Sequence, residues 1–181
     1  MRISAALLML IAVSITGSAM ATQPAAAKSG GSIKFAVEAV QVPDLPVSVR
    51  EVVLEKTQKG YVLKCLLSNN SADQVVRLDY VLLVIDSNNV ARHLLNGTED
   101  FKLKGYAAKT LISKTHLQLE VGDGYRLFLM PNRVFGNESV WEVLKASKAL
   151  EAHASGDYSV TPEVVRGSNL YDALPLSRII Y

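Results

Sequence analysis

Between Ile33 and Phe135 apolar residues recur at every second position in one short run after another, and no stretch between these runs is long enough to hold a crossover helix. Successive side chains of a strand point to opposite faces of a sheet, so period two marks half-buried strands. Parallel neighbours need connections of a dozen or more residues, which the short polar turns here do not supply. The pattern predicts seven or eight antiparallel strands folded as an immunoglobulin-like (Ig-like) β-sandwich, mainly β in class.

The runs can be read one by one. "SIKFAVEAV" puts Ile33, Phe35, Val37 and Ala39 on one face, and "PVSVREVVLEK" turns Val47, Val49 and Val53 inward. "GYVLKCLLSN" and "VVRLDYVLLVID" follow, with Asp86–Asn89 ("DSNN") closing the second. "VARHLL" is a short strand, "NGTED" a polar loop and "FKLKG" the strand after it. The strongest alternation is in "KTLISKTHLQLEV", where Leu111, Ser113, Thr115, Leu117, Leu119 and Val121 share a face and His116 faces solvent beside Lys114 and Gln118. Gly122–Gly124 ("GDG") is a tight turn ahead of "YRLFLMPNRVF".

A helix is expected only near residues 145–155, where Ala, Leu, Lys and Glu dominate and Gly156 supplies a stop. The sole tryptophan, Trp141, lies just before it. Ser139 and Glu142 have the spacing of a capping box. A helix begun there would leave the indole off the apolar stripe, whereas a hairpin turning at Gly136–Glu138 puts Trp141 and Val143 on one buried face. Burying an indole is worth several kcal/mol at ~25 cal/mol per Å², against about 1 kcal/mol for a cap. The hairpin is the expected form.

The first 21 residues have the layout of a secretory signal peptide: Arg2, the apolar run Ala5–Ile15, and small residues at Ala19 and Ala21, with Ala27 as a second cleavage position. The apolar run is too short to span a membrane, so no transmembrane segment is expected after cleavage. Cleavage after Ala21 takes one base and no acid, so the 19 bases fall to 18 against 17 acids. A charge near +1 gives no field that would gather nucleic acid. Residues 22–32 read as a flexible leader, 33–156 as the sandwich domain with its helix, and 157–181 as an extended C-terminal segment whose "RIIY" pairs with an edge strand. Cys65 is the single cysteine and falls on the inward face with Tyr61, Leu63 and Leu67, where it reads as a small core hydrophobe. Export without disulfides fits a periplasmic or extracellular setting, the bacterial envelope above all.

The combination of "LLSNNSADQVVRLDYVLLVID" with a later "RVF-turn-SVWEV" resembles uncharacterised secreted bacterial Ig-like β-sandwich modules, including the FxLYD-like ones, over Val47–Val143. The chain departs from them in having "DSNN" and "GNE" where Asp-Gly is usual at the turns. That resemblance implies the sandwich and export, and it implies no catalytic residues.

No chemistry stands out. His93, His116 and His153 lack metal-ligand spacing, no G-x-S-x-G elbow is present, and the carboxylate pairs Glu51/Glu55 and Glu99/Asp100 read as solvated. No catalytic residue, metal or cofactor is expected. An outer-membrane barrel is disfavoured by the few aromatics and the helical segment. The expected role is a non-enzymatic exported protein that binds or supports an envelope or extracellular partner through an edge strand or the C-terminal tail. The alternative is a small-ligand or glycan-binding module with Trp141, Tyr106 and Tyr125 as stacking aromatics, and a hydrolase is the residual one.

Overall fold

A computed structural model describes residues 27–29 and 32–168. In chain order the elements are β1 (Ala27–Ser29), β2 (Ser32–Ala36), β3 (Glu38–Ala39), β4 (Val47–Thr57), β5 (Gly60–Asn69), β6 (Val75–Ile85), β7 (Ala91–Leu103), β8 (Ala108–Ile112), β9 (Arg126–Gly136), β10 (Ser139–Leu144), α1 (Ala146–Ser155) and β11 (Glu163–Ser168). One sheet has the order β1-β2-β4-β5-β8 and the other β11-β10-β9-β6-β7, with β3 added parallel to the first half of β9. Every other pairing is antiparallel. If β4, β5 and β8 are lettered A, B and E, the second sheet reads G, F, C, C′ from β10 to β7. That is the immunoglobulin-type strand order, reached through Greek-key connections.

The core lies between the sheets, where Leu54, Leu63, Leu67, Leu82 and Leu129 are fully buried. Cys65 is buried with them. A third layer covers the outer face of the second sheet. Val81, Leu83, Phe128 and Met130 point away from Leu82 and Leu129 yet are also buried, and α1 packs on this same face. The helix does this with Ala146, Ala149, Leu150 and Ala154. Trp141 lies in β10 opposite Val134, so the hairpin is present and both capping-box residues sit in a strand. The helix starts after Lys145 in the left-handed region (φ 56) and ends at Gly156 (φ 81), where the Asp157 N–H donates to the Ala152 carbonyl at 2.9 Å.

Several expectations are corrected. The run 32–39 crosses from one sheet to the other at Val37, whose N–H reaches Val52 O (2.9 Å). The alternation restarts there, burying Val37 and Val40 while Ile33 stays 39% exposed. In β4 a bulge between Arg50 and Val53, with Glu51 at φ 51, shifts the parity, so Val52 and Leu54 point inward in place of Val53. "NGTED" belongs to the thirteen-residue strand β7, paired with β6 without a break from His93 to Asp100. The strongest alternation in the chain forms a strand only to Ile112. There the Ser113 hydroxyl accepts the Leu63 N–H (2.9 Å), Lys114 and Thr115 bow out, and a single bridge between Leu117 and Tyr61 resumes the pairing. His116 is half-buried, not solvent-facing.

The sheet begins earlier than Ile33, since β1 falls within the stretch read as leader. Within the C-terminal segment, β11 pairs along the whole of β10 and covers that edge. "RIIY" lies outside the described residues, as do residues 1–26.

Candidate functional site

The second sheet is wider than the helix that covers it, and the uncovered strip forms a groove of about 680 Å³. Its floor is the outer face of β6 and β9, with Leu83, Ile85 and Phe128. One wall is the C-terminal turn of α1, and the rim carries Tyr158, 71% exposed. A volume in this range suits a small ligand or a short peptide segment.

The groove's polar groups are fixed by neighbours. His153, in the last turn of α1, meets Glu38 of β3 with Nε2···Oε1 at 2.8 Å. Its ring stands edge-on between Phe128 (6.1 Å) and Tyr158 (5.4 Å). Arg126 stacks on Phe128 (5.6 Å) and donates through Nη2 to Asn89 Oδ1 (2.8 Å) and through Nη1 to Ala154 O (3.4 Å). Behind Asn89, Asp86 ties the β6–β7 turn. Its Oδ1 accepts the Asn88 and Val90 N–H groups (2.8 and 2.9 Å), and its Oδ2 accepts from Arg92 (2.6 Å). The Val90 N–H, more than the Arg92 guanidinium, holds this carboxyl below its usual range. The result is an apolar floor framed by two aromatic edges, a guanidinium and an imidazole–carboxylate pair.

None of the three aromatics expected at a site is in this groove. Trp141 is 6% exposed, on the sandwich face of β10, with the Arg166 guanidinium 5.0 Å from its ring; it is a core residue, so its candidacy as a stacking platform fails. Tyr106 tops the turn between β7 and β8. Tyr125 precedes β9 at the opposite end, half-buried beside a shallower pocket of about 470 Å³ near the β4–β5 turn. The groove's own residues come from four separate stretches, and only His153 was weighed as a possible ligand in the sequence.

Glu99 was misread as solvated. It is 3% exposed, on the inner face of β7 opposite Leu78. Oε2 accepts the Lys114 N–H (3.2 Å), while Oε1 is buried with no hydrogen-bond partner in the described structure. Burial pushes its carboxyl above the usual range, against the Lys114 N–H and ammonium, which pull it down. Burial also pushes the Cys65 thiol up to about 12, with the Glu99 charge adding to it, and raises the Tyr80 phenol, to which Glu99 and Cys65 both add. Its parity with Leu103 would have shown this, had "NGTED" been taken as strand. Of the other carboxylates, Glu51 and Asp100 are exposed, and Glu55 is lowered chiefly by its hydrogen bond from Lys64. Among the described residues no three His, Cys, Asp or Glu side chains converge as a metal set.

The raised Glu99 pKa has a defined effect on stability. The unfolded carboxyl ionises near its ordinary value of 4.5, while the folded one keeps its proton to higher pH. The folded state binds more protons over that interval, so folding loses free energy as pH rises from about 4.5 through the folded pKa. In Glu99→Gln this loss is absent. Urea unfolding at a series of pH values should show the glutamine variant gaining on the wild type as pH rises, and a constant difference would contradict the assignment.

Among the described residues no helix is long and apolar enough to cross a membrane. No protein-family model and no curated protein matches the chain. Among solved structures it is similar to a crystal structure of a DUF1425 family member from Shewanella sp. pv-4, at 16% identity over 56% of this chain and 90% of that one. The TM-score is 0.26, a likeness too slight to carry any conclusion about role.

Proposed function

We propose that the chain is an exported, non-catalytic β-sandwich that binds or supports a partner protein of the envelope or extracellular space, with the outer edge of β7 as its docking strand. The observation that carries this reading is the length of that edge. Ala91–Leu103 pairs with β6 on one side and, among the described residues, with no strand on the other. An open edge presents a row of unpaired N–H and C=O groups, the template for an added strand. The far edge of the same core, β10, is already taken by β11. Cleavage after Ala21 leaves β1 whole, whereas cleavage after Ala27 would remove its first residue.

The test is a photo-crosslinking residue at Asn96, exposed in the middle of β7, against a control at exposed Lys148 on α1. A discrete adduct from Asn96 alone, on a chain whose mass begins at Thr22, is the expected result. Equal adducts at both positions, none at Asn96, or an uncleaved N-terminus would overturn it. The groove favours a second reading, a small-ligand or glycan site centred on Tyr158, Phe128 and His153. A glycan panel that shifts the NMR signals of those three residues would support it.

A further inference from the structure

Tyr106 is the most exposed of the large hydrophobic side chains among the described residues, at 76%, and its backbone is left-handed (φ 56). Aromatic residues rarely occupy that region, so the turn around it must impose it. The imposing contacts are specific. The Tyr106 N–H donates to Ser71 O (3.0 Å), the Asn69 N–H to Ala107 O (2.8 Å) and the Ala107 N–H to Lys104 O (3.3 Å). The buried Asn69 side chain clamps both turns, donating to Asp73 O (2.7 Å) and Lys104 O (3.1 Å) and accepting the Ser71 N–H (3.0 Å). Gly105 sits so tightly on the neighbouring turn that a Cβ there would lie 2.2 Å from Ala72 O. The ring is thus held out from a rigid base.

The segment that carries it is basic. Lys102, Lys104 and Lys109 flank the turn and are all exposed. Asp100 is the single acid between residues 100 and 110, which leaves +2 on a segment of a mature chain whose total is near +1. Across the turn, Asp73 faces Arg166 at 3.6 Å. The ring and the lysines lie at the end of the sandwich that carries the β5–β6, β7–β8 and β9–β10 turns, and an exposed ring on a rigid turn suits a flat surface better than an added strand or a pocketed ligand.

We infer that this end of the sandwich docks on an anionic lipid surface, with the Tyr106 ring at headgroup level and Lys102, Lys104 and Lys109 on lipid phosphates. Tyrosine suits the boundary because its ring is apolar and its hydroxyl stays wet. Lysines lay their methylene stems along the surface and keep the ammonium in the charged layer. The docking is peripheral and uses the turn at the C-terminal end of β7, with Lys102 the one residue it shares with that strand.

Flotation of the mature chain with phosphatidylglycerol-rich vesicles, compared with pure phosphatidylcholine, tests it. Binding to the anionic vesicles alone, lost at high salt, is expected. Each of Lys102→Gln, Lys104→Gln and Lys109→Gln should lower partition about fivefold. Tyr106→Ala should lower it further at constant charge. Lys148→Gln on α1, with the same charge change, should leave it unaltered. Equal binding to both vesicle types, no binding to the anionic ones, or a Lys148→Gln loss matching that of the tip lysines would refute lipid docking. Salt-sensitive capture on poly-glutamate without vesicle partition would refute it as well, and assign the tip to an acidic protein. Unchanged melting temperatures, expected at these exposed positions, keep the comparison on binding.

Discussion

Trp141→Ala is expected to lower the unfolding free energy by about 3–5 kcal/mol, the usual range for deleting a fully buried large aromatic. The indole lies on the sandwich face of β10, in line with Val134 and Leu78 across three strands, all of them buried. It also spans the seam to β11, where Arg166 is its direct partner and stacks at 5.0 Å. Gly136 leaves room for the ring: a Cβ there would come within 3.1 Å of Cζ3. Removing the indole therefore opens a cavity between sheets that cannot collapse without moving two hairpin arms. Because the wild type has one tryptophan, its emission should be blue-shifted and shielded from iodide. Urea titration followed by circular dichroism measures the variant. A loss under about 1 kcal/mol would mean the ring is not a core element.

The same hairpin shows what was legible in the sequence and why. Deciding between a capping box and a buried indole required only comparing magnitudes, and the larger one won. Gly156 ends its helix because glycine alone takes a left-handed φ freely. Other features depended on distant partners. A bulge at Glu51 comes from how β4 meets β5, and nothing in "VREVV" announces it. At Ser113 the hydroxyl accepts the Leu63 N–H fifty positions away while its own N–H still donates to Leu63 O (2.8 Å), an exchange that period-two counting cannot register. Of the three aromatics singled out, Trp141 proved to be core and Tyr106 exposed, since aromatic type says nothing about burial. The groove was invisible for a simpler reason. It is the strip α1 leaves uncovered, a property of where the helix docks.

"NGTED" is the sharpest case, and it yields the second large effect. Asn-Gly is a strong turn signal, yet Gly97 sits mid-strand, directly opposite Tyr80. The glycine is there for space: a Cβ would stand 2.1 Å from Tyr80 Cζ and 2.4 Å from its Oη. Tyr80 is 2% exposed and has nowhere to retreat. An aromatic ring laid over a glycine restores the packing that the strand loses by having no side chain. In a loop, Gly97→Ala would be neutral or stabilise by up to about 1 kcal/mol, through reduced freedom of the unfolded chain. Here it should instead cost about 1–3 kcal/mol or more by overpacking. Tyr80→Phe should not relieve this, because Cζ remains in place. Tyr80→Leu should, so the Gly97→Ala/Tyr80→Leu double variant should be more stable than the sum of the single losses predicts, by about 1–3 kcal/mol. Additivity in that cycle, or a stabilised Gly97→Ala, would return residues 96–100 to a loop. The long β7 edge on which partner docking rests would go with it.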